Sequence, residues 1–492
     1  MSYNVFSHVN DFNPVACGDS YKYSHFTMLK ANVIGLTAYI EPRLVDPNVE
    51  IVMFGLQAYI KKYLLTPVQP WMLDEVEADL AMHGEPFDRE TWESIINDNG
   101  GYLPLKLYAV PEGLPVPSNN ILVRVDGYNI SEAKFATLTT WIETSLLRAV
   151  WYGTTIATNG YSLRKEIQAI YARFGEDPNE AFFAMQDFAG RGVTCNEQAE
   201  NGGGAHMVNF KGTDTFECLR GLRRWYNQKD VAGFSVWASE HTYEIIFGVD
   251  SVGEDAYIDK MLSIVETDPR CKILSIVIDG GDWKRCATKM CTEYRDRIIK
   301  IAKMGKKIVY RPDSGDMQET VPFIVNLQCE SFGYTENSKG LKRPKYVGCI
   351  QGDGVDRSSL INLLGKLISM GFAPTCTIFG SGGALLQKVC RDDFRFAMKV
   401  SAALEMINGV AVWNGYQKMT VGKQSKIGYI TLAQNVETGK YETIRLDKDG
   451  LIGSLPFGYI DVMRLVYDGC SEEKLLIDEH FAQIRERVGH TI

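Results

Sequence analysis

The 492-residue chain is long enough to bury a large core, and its length suits two domains better than one or four. Its 45% apolar and 23% charged residues are those of an ordinary folded protein, and a formal net charge of −9 argues against bulk electrostatic binding to nucleic acid or anionic membrane. An anionic ligand must therefore be held by local basic groups and backbone N–H groups. The eleven cysteines form no CxxC pair and no framework spacing, which reads as free thiols in a reducing compartment. The first residues lack a basic stretch followed by an apolar one, and no run of about 18 apolar residues occurs, so the expected location is the cytoplasm.

Residues 1–30 carry few regular signals but include the polar and aromatic run CGDSYKYSHF (17–26). VIGLTAYIEPR (33–43) reads as a strand and FGLQAYIKKYLL (54–65) as an amphipathic helix. Helices are expected over 72–82 and 88–97, and LPLKLYAVP and ILVRVDG read as strands joined by a Pro-rich turn. Helices then fill 131–174, with an interruption near Gly153. From residue 182 the pattern changes. FFAMQDF ends in AGRG, MVNF in KGTD, GFSVWAS in EH, KILSIVI in DGGDW, KIVY in RPDSGD, YVGCI in QGDGVD and TCTIF in GSGG. Seven such strand ends, most followed by a helical pattern, predict a parallel sheet; that number favours closure into a barrel and leaves an open sheet as the alternative. After 394 the alternation fails, and strands with charged turns lead to a helix near 472–487. The predicted organisation is a (β/α) barrel over 181–393 beside a mixed α+β domain built from 1–180 and 394–492.

Catalytic loops of α/β folds follow the carboxyl ends of strands. In GSGGALLQK (380–388), bare backbone at Gly382 and Gly383 before a helix suits a phosphate; the plain alternative is a tight turn needing positive φ. Pro312 holds the residue before it extended, so Arg311 and Asp313 should both lie along the rim, either as ligands to phosphate and sugar or as an ion pair bracing the loop. Asp279 and Asp282, then Asp353 and Asp356, add carboxylates that repel one another unless a cation or sugar hydroxyls use them. The second of each pair also suits a helix N-cap. His241 ends a strand without a nearby nucleophile or zinc spacing, and Phe188 and Arg191 stand at the first strand end. These residues together predict a sugar phosphate or nucleotide at a barrel rim and leave the reaction open.

The segments DSYK (19–22), FAGRGV (188–193), VNFKGTDT (208–215), SEH (239–241), RPDSG (311–315), IQGDGVD (350–356) and FGSGGALLQK (379–388) resemble, in this order, the nicotinate/nicotinamide phosphoribosyltransferase family of type II phosphoribosyltransferases. The resemblance covers about residues 19–430. It implies the irregular barrel of those enzymes, and transfer of the 5-phosphoribosyl group of phosphoribosyl pyrophosphate to nicotinamide, a step of NAD salvage. It also implies dependence on Mg²⁺, homodimers with shared sites, and ATP hydrolysis coupled through a phosphohistidine.

Carried onto this sequence, Phe188 and the partner's Tyr21, in the segment with Asp19, resemble the pair that sandwiches the pyridine ring. Asp214 matches the acceptor of the carboxamide NH₂, and Ser275 the group at its oxygen. Gly352 and Asp353 are expected at the ribose, and Gly382, Gly383 and Arg391 at the 5′-phosphate. Arg43, Arg191, Arg311, Lys399 and Lys423 match the basic set for pyrophosphate or phosphate. Asp279 and Asp313 match carboxylates near the ribose and Mg²⁺, and His241 matches the phosphorylated histidine, oriented by Asp279. DFAGRG departs from the family's DFGYRG, and Ala397 stands where the family has a serine. The alternatives are the nicotinate reaction and a non-catalytic nucleotide-binding protein; an aspartate at 214 would repel a nicotinate carboxylate.

Overall fold

The computed structural model describes residues 7–44, 46, 48–128, 133–419 and 424–490. The chain divides into two compact units, one of residues 159–223 with 228–389, the other of 1–158 with 224–227 and 390–492. In the first unit seven strands share one sheet: β1 (Met185–Asp187), β2 (Gly212–Thr213), β3 (Trp237–Ala238), β4 (Ile273–Val277), β5 (Lys307–Arg311), β6 (Val347–Gln351) and β7 (Thr377–Ser381). Their spatial order is β2-β1-β7-β6-β5-β4-β3, and every pair is parallel. Apart from β2 and β3, which stand at the two edges, strands adjacent in the chain are thus neighbours in space, with the last beside the first. A parallel bridge from Gly212 of β2 to Phe234, just before β3, joins the two remaining edges. This is the irregular seven-unit barrel that the strand-end pattern favours over an open sheet.

The apolar runs of β4, β5 and β6 place Leu274, Ile276, Ile308, Tyr310, Val347 and Cys349 in one core with residues of the surrounding helices. Strands covered on both faces have no polar face, which is why they read as continuous apolar segments. The helices used below are α1 (Asn196–Met207), α2 (Phe216–Tyr226), α3 (His241–Ile245), α4 (Ser251–Thr267), α5 (Trp283–Cys291), α6 (Arg295–Lys303), α7 (Met317–Phe332), α8 (Arg357–Ser369) and α9 (Gly383–Leu386). Aspartates set several of their starts: the Lys284 amide donates to Asp282 (3.0 Å), that of Gln318 to Asp316 (2.9 Å) and that of Ser359 to Asp356 (2.8 Å). Asp282 and Asp356 are therefore caps, which removes them from the carboxylates available for chemistry.

Four sequence expectations change. MVNF is not a strand: Met207 closes α1 and the strand is Gly212–Thr213, because a four-residue apolar run fits a buried helix end equally well. The helix Glu143–Arg173 runs through Gly153 without a break, its packing outweighing a glycine penalty of about 1 kcal/mol. Its second half supplies Leu163, Ile167 and Tyr171 to the barrel core, so the division falls inside the helix after Thr158 and not behind it at 180. The final helix is only Phe481–Arg487.

The other unit draws one six-stranded antiparallel sheet from both ends of the chain, in the order Val410–Gly415, Ala397–Ile407, Val33–Glu41, Val123–Tyr128, Lys106–Ala109, Arg464–Asp468. Helices Pro70–His83 and Arg89–Asn99 belong to it. Among the described residues no helix is long and apolar enough to cross a membrane.

Candidate active site

The carboxyl ends of the barrel strands surround a cleft of about 930 Å³. Phe188, Arg191 and Gly192 reach it from β1, Asp214 to Glu217 from β2, and Glu240, His241 and Thr242 from β3. Arg311 and Asp313 reach it from β5, Gly352 from β6, and Gly382 and Gly383 from β7. Residues far apart in the chain meet here because each βα loop leaves its strand on the same side of the sheet.

The glycines separate into two kinds. Gly380, Gly382 and Gly383 all lie outside the positive-φ region, so a left-handed turn does not explain them. A Cβ on Gly382 or Gly383 would meet nothing within 4 Å; both leave the cleft wall as bare backbone at the start of α9, a setting suited to a phosphate. A Cβ on Gly380 would stand 2.1 Å from Cε2 of Phe188, and one on Gly352 would stand 2.4 Å from Oδ1 of Asp313. These two glycines seat the side chains opposite them.

Arg311 ends β5 with its Nε buried and without a hydrogen-bond partner among the described residues. Asp353, by contrast, is exposed in the turn after β6, while its neighbour Gly352 lines the cleft. Its carbonyl accepts from Nε2 of Gln351 (3.0 Å).

At the other side of the cleft, the Phe188 amide donates to the Ser381 carbonyl (3.0 Å), which extends the β1–β7 pairing and fixes where the ring starts. The Asp214 amide donates to the Asp187 carbonyl (2.9 Å), and Asp214 accepts the Ser235 hydroxyl. Ser275 is buried on β4, its hydroxyl unpartnered among the described residues, and does not line the cleft. Asp187, which the sequence reading passed over, is fully buried at the end of β1. Burial pushes its carboxyl up to about 6, against the hydrogen bond from the Ala189 amide.

His241 opens α3, its Nε2 3.1 Å from Oδ1 of Asp279. With a carboxylate as acceptor, Nε2 carries the proton and Nδ1 remains the basic nitrogen. The Asp279 side chain is 1% exposed, and its Oδ2 has no partner among the described residues. Glu244, three residues further along α3, accepts the Gly280 amide (2.8 Å), and burial pushes its carboxyl up to about 7. Ligand atoms of His241, Glu244 and Asp279 lie within 4.8 Å of one another. The HxxE spacing, one helical turn, was a signal available in the sequence for Glu244. Glu240, Thr242, Phe216 and Glu217 carried none.

The remaining expected residues belong to the other unit. Tyr21 is exposed, edge-on to His25 with ring centroids 5.4 Å apart. Asp19 accepts the Thr144 hydroxyl (2.8 Å). Arg43 pairs with Glu41 (2.9 Å) and keeps a buried Nη2 with no partner among the described residues. Lys399 is half-buried; burial lowers its pKa, opposed by the Glu143 carboxylate and assisted by Arg43, Lys22 and Lys418. Arg391 is exposed and pairs with Asp392 (3.2 Å). Lys423 lies outside the described residues.

Residues 183–443 match the model of the "Nicotinate phosphoribosyltransferase (NAPRTase) family", and residues 13–107 that of the "Nicotinamide phosphoribosyltransferase, N-terminal domain". A protein of Xanthomonas campestris pv. campestris (strain 8004) named nicotinamide phosphoribosyltransferase is 36% identical over 438 residues, which is 87% of this chain and 89% of that protein. The chain belongs to the nicotinate phosphoribosyltransferase family. A relative of the same name from Acinetobacter baylyi (strain ATCC 33305 / BD413 / ADP1) is 28% identical over 418 residues, covering 80% of this chain and 79% of its own. Among solved structures, the nicotinate-nucleotide pyrophosphorylase from Pyrococcus furiosus superposes with a TM-score of 0.58 at 15% identity, over 99% of this chain and 97% of its own. Human nicotinic acid phosphoribosyltransferase gives 0.54 at 12% identity, over 96% and 92%. At such identities these two likenesses establish the family's fold, and the family match itself spans all seven barrel strands.

Proposed function

We propose that this enzyme transfers the 5-phosphoribosyl group of phosphoribosyl pyrophosphate to nicotinamide, giving nicotinamide mononucleotide and pyrophosphate in NAD salvage. One observation carries the reading: a single cleft joins bare glycine backbone, the Arg311–Asp313 rim and the Phe188–Asp214 pair. The relatives named for this reaction support it.

The pyridine nitrogen is a neutral nucleophile that needs no general base. Catalysis then rests on positioning and on charge. In this reading Phe188 stacks on the ring, and Asp214 accepts from the carboxamide NH₂ and repels a carboxylate in its place. Arg311 and Arg191 face the departing pyrophosphate, Asp313 the electron-poor ribosyl carbon, and Gly382 and Gly383 the 5′-phosphate. The orphaned Oδ2 of Asp279 and the carboxylate of Asp313 are hard oxygen donors that fit Mg²⁺. When bound, Mg²⁺ supplies charge neutralisation on the leaving group. His241, oriented by Asp279, serves as the phosphate acceptor from ATP through Nδ1.

The enzyme in this reading is a homodimer with shared sites. Its barrel unit leaves Phe234, Trp237, Tyr243, Ile245, Ile246 and Val252 exposed, apolar side chains suited to an interface. A second copy covers them and brings the exposed Tyr21 to the pyridine ring. Eleven free cysteines support a cytoplasmic location.

The test is product formation by the purified protein with Mg²⁺, with its mass in solution measured alongside. Nicotinamide mononucleotide should form with a preference over the nicotinate product of roughly a hundredfold, and Asp214→Ser should erode that preference. ATP should speed synthesis by the parent and not by His241→Ala, and the mass should be that of two chains. Equal turnover of nicotinate would install the sister reaction instead, and no product from either base would leave a binding protein.

A further inference from the structure

The two side chains that select the base stand on different strand ends, Phe188 after β1 and Asp214 after β2. Asp187 is bonded to both loops. Its Oδ1 accepts the Ala189 amide (2.8 Å), which closes the turn carrying Phe188. Its Oδ2 accepts the Thr213 hydroxyl (3.3 Å), and that same hydroxyl oxygen accepts the Thr215 amide (3.0 Å). Its own carbonyl accepts the Asp214 amide between them. Asp214 is thus bracketed on both sides by a network that starts at Asp187.

The carboxylate is enclosed from behind by α1. A Cβ on Gly203 would stand 3.2 Å from Oδ2 and 2.6 Å from Cβ of Cys218, so a glycine at 203 is what lets the helix close on the carboxylate. Burying a carboxylate is costly unless hydrogen bonds compensate it, and a serine or alanine here would avoid the cost. A residue that only filled space would not need to be an acid.

We propose that Asp187 is a positioning residue that holds Phe188 and Asp214 in register and thereby sets nicotinamide affinity and the choice of amide over acid. This rests on the assignment of Phe188 and Asp214 to the base. An asparagine keeps the shape but loses the charge. An N–H facing the Ala189 amide releases that turn, and one facing Thr213 must use the hydroxyl as its acceptor and exchanges a charge-assisted bond for a weaker neutral one.

The test is steady-state kinetics of Asp187→Asn, Thr213→Val and the double variant, with both substrates varied. The KM for nicotinamide should rise roughly tenfold in Asp187→Asn while that for phosphoribosyl pyrophosphate stays within about twofold. The nicotinate-to-nicotinamide rate ratio should climb with it. Thr213→Val should move the same values less, and the double variant should be little worse than Asp187→Asn, since both cut one network. If Asp187→Asn does not fold, Thr213→Val carries the test. Folded variants with an unchanged nicotinamide KM, or with both KM values raised equally, would overturn the proposal while leaving the reaction intact. A parent enzyme that makes no nicotinamide mononucleotide would instead overturn the reading of the site.

Discussion

Arg311→Ala is expected to lower kcat/KM for phosphoribosyl pyrophosphate by roughly 10²–10³-fold, with little change in melting temperature. The guanidinium ends β5 at the cleft, and its Nε is already buried without a partner among the described residues. Removing it therefore breaks no hydrogen bond at that nitrogen and relieves a desolvated donor. In the proposed reaction its value lies in meeting the charge that develops on the departing pyrophosphate oxygens. Arg311→Lys should recover only part of the loss, because an ammonium cannot present two parallel N–H groups. Steady-state kinetics beside a thermal melt decide the matter. A loss below about fivefold, or a collapse of stability, would assign Arg311 to the scaffold.

Gly380→Ala should weaken nicotinamide, and Gly383→Ala should weaken phosphoribosyl pyrophosphate, although both glycines lie in one GSGG segment. The added methyl at 380 would stand 2.1 Å from the Phe188 ring, and three of its nearest atoms are ring carbons. The ring must leave its seat at a cost of about 1–3 kcal/mol, and the nicotinamide KM should rise tenfold or more. At 383 the methyl meets nothing within 4 Å, so the fold should not notice it. It should intrude instead on the phosphate, raising the KM for phosphoribosyl pyrophosphate several-fold. Measuring both KM values in both variants separates the two outcomes. A Gly380→Ala enzyme with an unaltered nicotinamide KM would remove Phe188 from the base site.

The difference between these glycines marks the limit of sequence reading here. GSGG announces a special backbone, and the strand before it and helix after it point to a phosphate. Which glycine faces the ligand and which seats Phe188 depends on β1, nearly two hundred residues earlier in the chain. Asp282 and Asp356 were legible as caps from their place before helical patterns, and both cap. Asp353, two residues from a strand end, reads like Asp313 but is exposed. The strand in MVNF and the break at Gly153 failed for a shared reason: local propensity is weaker than the packing of a long helix or a buried helix end.

What the sequence alone determined was the series of strand ends. A parallel strand buried on both faces must be an apolar run, and the loop leaving it must turn sharply with glycine and aspartate, so both marks are local. Its ordered motifs were also enough to reach the family. The tertiary structure alone decided that Asp187 is buried between two loops and that Oδ2 of Asp279 has no partner among the described residues. Each of these depends on what a distant segment places against a side chain, and burial and hydrogen bonding are properties of that meeting rather than of any residue in it.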